Sequence, residues 1–278
     1  MKNLYLEKEI KKHMDELPCP SESNTNIKYG DRIIVVGGSG SGKTNWLANF
    51  IINAPNTFEQ ILVCSMAIKE PIYDWMSSKL NGKMVIVDKN HLPSLKELHE
   101  IREQDQDQYL VVFDDCVTAL KDDKNFRSKV TEYFIAGRKQ HCTMVLLTQS
   151  YYAIPKTIRL QATDLCLLQL GNQNDLSCIL REFNGIGIKL KQLRGLHQFC
   201  TRSCPSKLGL LKIKVNEIDP NKRFARNFND FFYVRRNERL YEETGEEIFE
   251  IFPGEWFKRP KFGGVVLDKL NPSKSPFK

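Results

Sequence analysis

The octapeptide Gly37-Gly38-Ser39-Gly40-Ser41-Gly42-Lys43-Thr44 follows directly on the strand-like run Asp31–Val36 and opens the helix-like stretch Thr44–Asn53. It matches G-x-x-x-x-G-K-[ST] with strand, loop and helix in the right order. No other feature of the chain narrows the choice of fold as far. A triphosphate must lie against successive backbone N–H groups, and Cβ atoms would block both that approach and the positive φ such a loop needs. The motif therefore predicts an ATP cradle over Gly37–Thr44. Lys43 is expected to reach the β- and γ-phosphates and the Thr44 hydroxyl to ligate Mg²⁺. The N-terminus of the following helix would face the same phosphates with its partial positive charge.

Around this loop, short apolar runs alternate with helical candidates. The runs are Arg32–Val36, Gln60–Ser65, Met84–Val87, Tyr109–Phe113, Thr143–Thr148 and Asp164–Leu170, and the helical stretches are Thr44–Asn53, Pro93–Gln104, Phe126–Gln140 and Leu176–Phe183. Strand runs apolar on both faces, separated by helices, predict an α/β fold with a mostly parallel sheet covered on both sides. The composition shifts suggest an N-terminal arm over 1–29, an ATPase core over 30–215 and a C-terminal appendage over 216–278 of unassigned fold. The chain of 278 residues is long enough to bury a core without staples. No apolar run approaches the roughly 18–20 residues of a membrane span, and the N-terminus lacks the apolar stretch of a secretory signal. The eight cysteines, several within apolar runs, read as reduced residues of an intracellular protein. His197, Cys200 and Cys204 fall short of a zinc signature, since a fourth ligand and paired spacing are missing.

Two further runs end in polar groups. Tyr109–Phe113 leads into Asp114-Asp115, and buried charge at a strand end needs a partner. A Mg²⁺–nucleotide complex supplies one: Asp114 would hold the metal's water shell and Asp115 would polarise the attacking water. The alternative is a plain strand followed by an Asp-Asp turn. The run Thr143–Thr148 leads into Gln149 and Ser150. Gln149 reads either as a sensor of the γ-phosphate or as a residue that merely terminates the strand. Just upstream, Arg138 reads as a solvated helix-end residue or as an arginine finger directed at a neighbouring subunit.

The set GGSGSGKT, VVFDDC and AGRKQHCTMVLLTQSYYAIPKTIR, in this order, resembles the genome-packaging ATPases of large DNA viruses and their smaller relatives, within the FtsK–HerA superfamily of P-loop motors. The third block is the most specific, and the likeness covers about residues 30–170. It implies a RecA-like core, with ATP and Mg²⁺ as cofactors, assembled as a homo-oligomeric ring that translocates double-stranded DNA into a capsid, with capsid or portal components as partners. Such a protein would act in the host cytoplasm or nucleus, associated with the virion. Carried over by position, Lys43 and Thr44 are the Walker A pair, Asp114 the metal-binding acid, Gln149 the sensor and Arg138 the trans-acting finger. Asp115 stands where cellular members usually carry Glu, and its shorter side chain must approach the water more closely.

From Phe183 to Asn216 the chain has no acidic residue but seven basic ones: Lys189, Lys191, Arg194, Arg202, Lys207, Lys212 and Lys214. Clustered Lys and Arg suit sequence-independent phosphate contacts, and equally a solvated basic face. The net charge of +7 favours an anionic partner without identifying it. The stretch Asn221–Arg236 interleaves aromatic and basic residues; packing of its Phe side chains is preferred over base stacking, because duplex DNA hides its base faces. Rival readings are an ATP-dependent helicase and a P-loop small-molecule kinase.

Overall fold

The computed structural model describes residues 25–66, 70–101, 107–172, 174–183, 188–202, 209–236 and 249–253. The proposed arm up to residue 24, Cys19, Cys204, Lys207 and the tail Asn271–Lys278 therefore lie outside the described residues.

The chain divides into two units, one made of Met1–Arg32 and Leu47–Val145, the other of Ile33–Trp46 and Leu146–Lys278. The first contains β2 (Gln60–Ser65), β3 (Met84–Val87), β4 (Tyr109–Asp114) and the start of β5 (Cys142–Thr148), in the order β5-β4-β2-β3. β2 pairs in parallel with both β3 and β4, placing Ser65 beside Asp114 at the strand ends. All six residues of β4 are buried, as a strand covered on both faces requires.

Three helices of this unit start at a local sequence signal. In α2 (Pro71–Lys79) a proline stands in the first turn, where its missing N–H costs nothing. Ser94 and Glu97 form a reciprocal capping box at the start of α3 (Leu95–Glu100), with bonds of 2.6 and 3.2 Å. After α4 (Val117–Asp122), Asp123 caps α5 (Lys124–Ala136) by accepting from the N–H groups of Asn125 and Phe126. α5 tightens into a 3₁₀ turn, Gly137–Gln140, which ends at His141 in the left-handed region. The expected helix over 126–140 is thus real but changes pitch at Gly137, where a Cβ would lie 2.8 Å from the Met144 sulfur.

The second unit contains β1 (Arg32–Val36, its first residue belonging to the other unit), the end of β5, β6 (Asp164–Leu167), β7 (Leu211–Lys214), β8 (Phe224–Arg226), β9 (Asp230–Arg236) and β10 (Phe249–Pro253). The order is β10-β9-β8-β7-β6-β1-β5. β1 and β6 are parallel, while every pairing from β6 to β10 is antiparallel. The fold is α/β, with a large, mostly parallel sheet flanked by helices. The described residues of the 216–278 stretch, given no fold from sequence, extend the sheet with the antiparallel strands β8, β9 and β10. Phe224, Phe231 and Phe232 are buried there, and the Phe224 and Phe232 rings stack at 6.2 Å between centroids. These aromatics pack, as preferred from sequence.

Helices of this unit include α1 (Lys43–Ile52, continuing across the unit boundary), α6 (Lys156–Arg159), α7 (Asn174–Glu182), α8 (Leu190–Arg202) and α9 (Pro220–Arg223). The acid-free segment after Phe183 thus holds a helix and a strand. On α8, Lys191 and Arg194 are exposed, while Leu193, Leu196 and Cys200 are buried. Lys212 and Lys214 of β7 are buried instead, at 0% and 8% exposure, and Lys212 lies 3.8 Å from the Asp164 carboxylate. These two lysines cannot reach a DNA phosphate. His197 is buried with its Nε2 2.7 Å from the Leu168 carbonyl oxygen, a core histidine with a backbone partner. The six described cysteines form no disulfide and are buried.

Candidate nucleotide site

In the second unit, β1 delivers the chain into the glycine-rich loop, and α1 leaves it at Lys43. The loop is anchored on both flanks by backbone bonds. Gly37 N–H donates to the Thr148 carbonyl at 3.0 Å, and Gly38 N–H donates to the Gln169 carbonyl at 2.9 Å. Ser41 N–H closes a turn onto Gly38 O at 3.2 Å, and Trp46 N–H donates to Gly42 O at 2.8 Å to begin the helix. Gly40 and Gly42 have φ of +70° and +92°, conformations that cost an L-residue about 1–2 kcal/mol. A Cβ at Gly37 would lie 2.2 Å from Ser41 Oγ and 2.9 Å from Leu168 Cβ. Gly37 is thus required sterically, and Gly40 and Gly42 conformationally.

The Lys43 ammonium donates to the carbonyls of Gly37 at 3.1 Å and Gly38 at 3.2 Å, closing over the mouth of the loop. Thr44 is half-buried in the first turn of α1. The first N–H groups of that helix have no intrahelical acceptor, so the turn presents donors and positive potential to an anion. Gln149 sits one residue past β5, exposed, with its neighbour Thr148 tied to the loop through Gly37. Lys43, Thr44 and Gln149 therefore belong to one unit and one set of strand ends.

The acidic pair and Arg138 belong to the first unit. Asp114, the last residue of β4, is 5% exposed and accepts a short hydrogen bond from the Tyr73 hydroxyl, itself fully buried on α2. Burial, reinforced by the Asp114 charge, pushes the Tyr73 phenol far above its ordinary value, so it remains a donor at neutral pH. Asp115 is exposed and adopts a φ of +51°, a left-handed turn that swings it away from the direction of the buried strand. Asp and Asn tolerate this region better than other L-residues, which favours a short acid at this position over Glu. The Cys116 thiol next to it donates to the carbonyls of Cys64 and Asp114, at 3.4 and 3.2 Å, and stiffens the turn.

Arg138 is exposed in the 3₁₀ turn. Its aliphatic stem lies on Gly30, where a Cβ would come within 2.5 Å of Arg138 Cγ. Gly30 has φ of +76° and donates its N–H to Thr143 Oγ1 at 3.0 Å. The neighbouring guanidinium of Arg32 has its pKa lowered by burial and then by the charge of Arg138, so two like charges stand close together here.

Sequence reading missed two residues that the structure sets against these groups. Tyr73 escaped because no helix was expected over Pro71–Lys79, although proline at its start is a helix signal. Asp175 escaped because its acceptor bonds go to residues 23 and 25 positions away.

Solved structures with the same fold include the genome packaging NTPase B204 from Sulfolobus turreted icosahedral virus 2 in complex with sulfate. It is 15% identical with a TM-score of 0.51, covering 71% of this chain and 95% of that one. B204, the DNA-packaging ATPase from Sulfolobus turreted icosahedral virus, is 13% identical with a TM-score of 0.51, covering 71% of this chain and 96% of that one. No curated protein matches the chain by sequence. The model of the poxvirus A32 protein family matches residues 22–218, more than half of the sequence and all of the P-loop, acidic and Gln-ended strands, and the chain belongs to that family.

Proposed function

We propose that this chain is an ATP-hydrolysing motor that moves double-stranded DNA into a viral capsid. The observation that carries the reading is the closed P-loop on the end of β1, in a chain of the poxvirus A32 family. The B204 proteins of the same fold are themselves described as a genome packaging NTPase and a DNA-packaging ATPase. Among the described residues no helix is long and apolar enough to cross a membrane.

In this reading the Lys43 ammonium exchanges its two carbonyl acceptors for the β- and γ-phosphates of ATP. The amides of the loop and of the first turn of α1 hold the remaining phosphate oxygens. The Thr44 hydroxyl and the Asp114 carboxylate are each a hard oxygen of the kind Mg²⁺ prefers, and these are the residues that would hold it. When bound, that ion neutralises phosphate charge. Tyr73 keeps the Asp114 carboxylate oriented. Asp115 accepts a proton from the attacking water, Gln149 orients that water against the γ-phosphate, and Arg138 acts on the nucleotide of an adjacent subunit in a ring. The protein works inside the infected host cell and engages the capsid portal.

Steady-state ATP hydrolysis with long duplex DNA, with single-stranded DNA and with neither, at matched salt, tests the reading. Stimulation by duplex alone is the expected result, and Lys43→Ala abolishes turnover with the fold intact. Stimulation by single strands only would replace it with a helicase. Turnover unaffected by Lys43→Ala would remove the nucleotide-site assignment.

A further inference from the structure

The residues flanking Gln149 are fastened more tightly than a strand end requires. On its N-terminal side, the Thr148 carbonyl accepts from Gly37 N–H of the P-loop at 3.0 Å. Thr148 Oγ1 reaches over Gln149 in both directions, donating to Ser150 O at 3.0 Å and accepting from Ser150 N–H at 3.2 Å. On its C-terminal side the loop is held by α7. Asp175 Oδ1 accepts from Ser150 Oγ at 3.0 Å and from the Tyr152 backbone N–H at 2.9 Å.

Two turns further along the same helix, Glu182 accepts from the Tyr151 hydroxyl at 2.9 Å and from Arg159 Nη2 at 2.6 Å. Arg159 in turn donates to the Tyr152 carbonyl at 2.7 Å, with its guanidinium 5.3 Å from the Tyr151 ring centroid. Residues seven apart lie on one helix face. Both acids of that face thus grip the three residues that follow Gln149.

The two acids differ in their surroundings. Glu182 has the Arg159 guanidinium to balance its charge. Asp175 is fully buried, and among the described residues its Oδ2 has no hydrogen-bond partner. A buried carboxylate without a cation costs several kcal/mol. Packing alone would be served better by an apolar residue. What the carboxylate supplies is a pair of charge-assisted bonds, about twice as strong as neutral ones, onto the backbone and hydroxyl that frame Gln149.

We propose that Asp175 is a positioning residue for Gln149: it holds the loop 150–152 so that the Gln149 amide meets the γ-phosphate and water at a fixed place. The inference rests on the reading of Gln149 given above. A displacement of about 1 Å at such a group costs on the order of a hundredfold in rate, while ground-state binding of the nucleotide through the P-loop is untouched.

The test combines two readouts on the full chain. Hydrogen–deuterium exchange, followed at the peptide covering 148–153 with ATPγS present, is expected to rise in Asp175→Ala and Ser150→Ala and to stay near wild type in Asp175→Asn, which keeps the acceptor. Steady-state hydrolysis is expected to lose about tenfold or more in kcat for Asp175→Ala, with KM changed by less than about threefold and most of the rate restored in Asp175→Asn. In a Gln149→Ala background, Asp175→Ala should then have little further effect on kcat. Unchanged exchange in Asp175→Ala overturns the clamp. An equal loss of kcat with and without Gln149 overturns positioning and leaves a structural role. If wild type hydrolyses ATP but Gln149→Ala is fully active, the reading of Gln149 has failed and the positioning proposal falls with it. If wild type does not hydrolyse ATP at all, the enzyme reading itself has failed, and the exchange data still decide whether Asp175 clamps the loop.

Discussion

The Tyr73 hydroxyl donates directly to the carboxylate of Asp114, joining a helix to the last residue of a strand 41 positions later. Both groups are buried, so each supplies a partner the other cannot obtain from water. Tyr73→Phe keeps the ring's packing and removes only the donor. It should cost about 1–3 kcal/mol, since a buried carboxylate loses a hydrogen bond. Thermal melting checks this, and a Mg²⁺ titration of ATP hydrolysis should show lower activity at every metal concentration. A variant with wild-type melting and activity would mean that the bond contributes nothing.

Stability should fall in alkali. Burial raises the phenols of Tyr73, Tyr133 and Tyr151, with nearby Asp114 adding to the first and Glu182 to the third. Above the ordinary phenol value of about 10, the unfolded chain releases these protons while the folded one retains them. The folded state then binds more protons, and stability drops as pH rises. Urea melts between pH 8 and pH 11 should show a midpoint constant at first and declining beyond about 10.

Gly30 is required by Arg138. An alanine there would force both a left-handed backbone at φ +76° and a contact 2.5 Å from Arg138 Cγ. Gly30→Ala should therefore lose about 1–2 kcal/mol of stability from the backbone alone. It should also imitate Arg138→Ala, with hydrolysis strongly reduced and nucleotide affinity nearly unchanged. Fluorescent-nucleotide binding beside turnover measurements checks the pair. Loss of binding in Arg138→Ala would place that arginine on its own subunit's nucleotide or in a structural role.

The basic segment should divide into two classes. Neutralising Lys189, Lys191 and Arg194, all exposed, should flatten the salt dependence of duplex DNA affinity, with the slope falling by up to about one for each phosphate no longer neutralised. Lys212→Met should leave that slope alone. It removes one member of a buried ion pair and strands Asp164, a change that costs about 3–5 kcal/mol when the partner remains charged. An unchanged slope in the triple variant would take α8 off the DNA-binding surface.

The strands and the P-loop were legible because their causes are local. Apolar runs such as Ile33–Val36 and Leu110–Phe113 have one way to bury both faces, and Gly40, Gly42 and Lys43 carry their conformational and charge requirements in their own side chains. Helix limits were less legible. Pro93–Gln104 shortens to Leu95–Glu100 because Ser94 and Glu97 fix its start, and Asp164–Leu170 ends as a strand at Leu167.

Local residue order was enough to specify a phosphate loop on a strand of an α/β sheet, with an acidic and a Gln-ended strand to follow. It could not specify the fates of residues whose partners lie far along the chain. Lys212 looked like part of a basic surface, yet β6 and β7 pair antiparallel and bring Asp164 to it, so it is buried. Asp114 acquired Tyr73 from a helix that the local pattern did not announce, and the loop after Gln149 acquired Asp175 and Glu182. The physical reason is common to all three. A charge or dipole can be buried only beside a complementary group, and which group arrives is set by sheet register and helix packing rather than by neighbours in sequence.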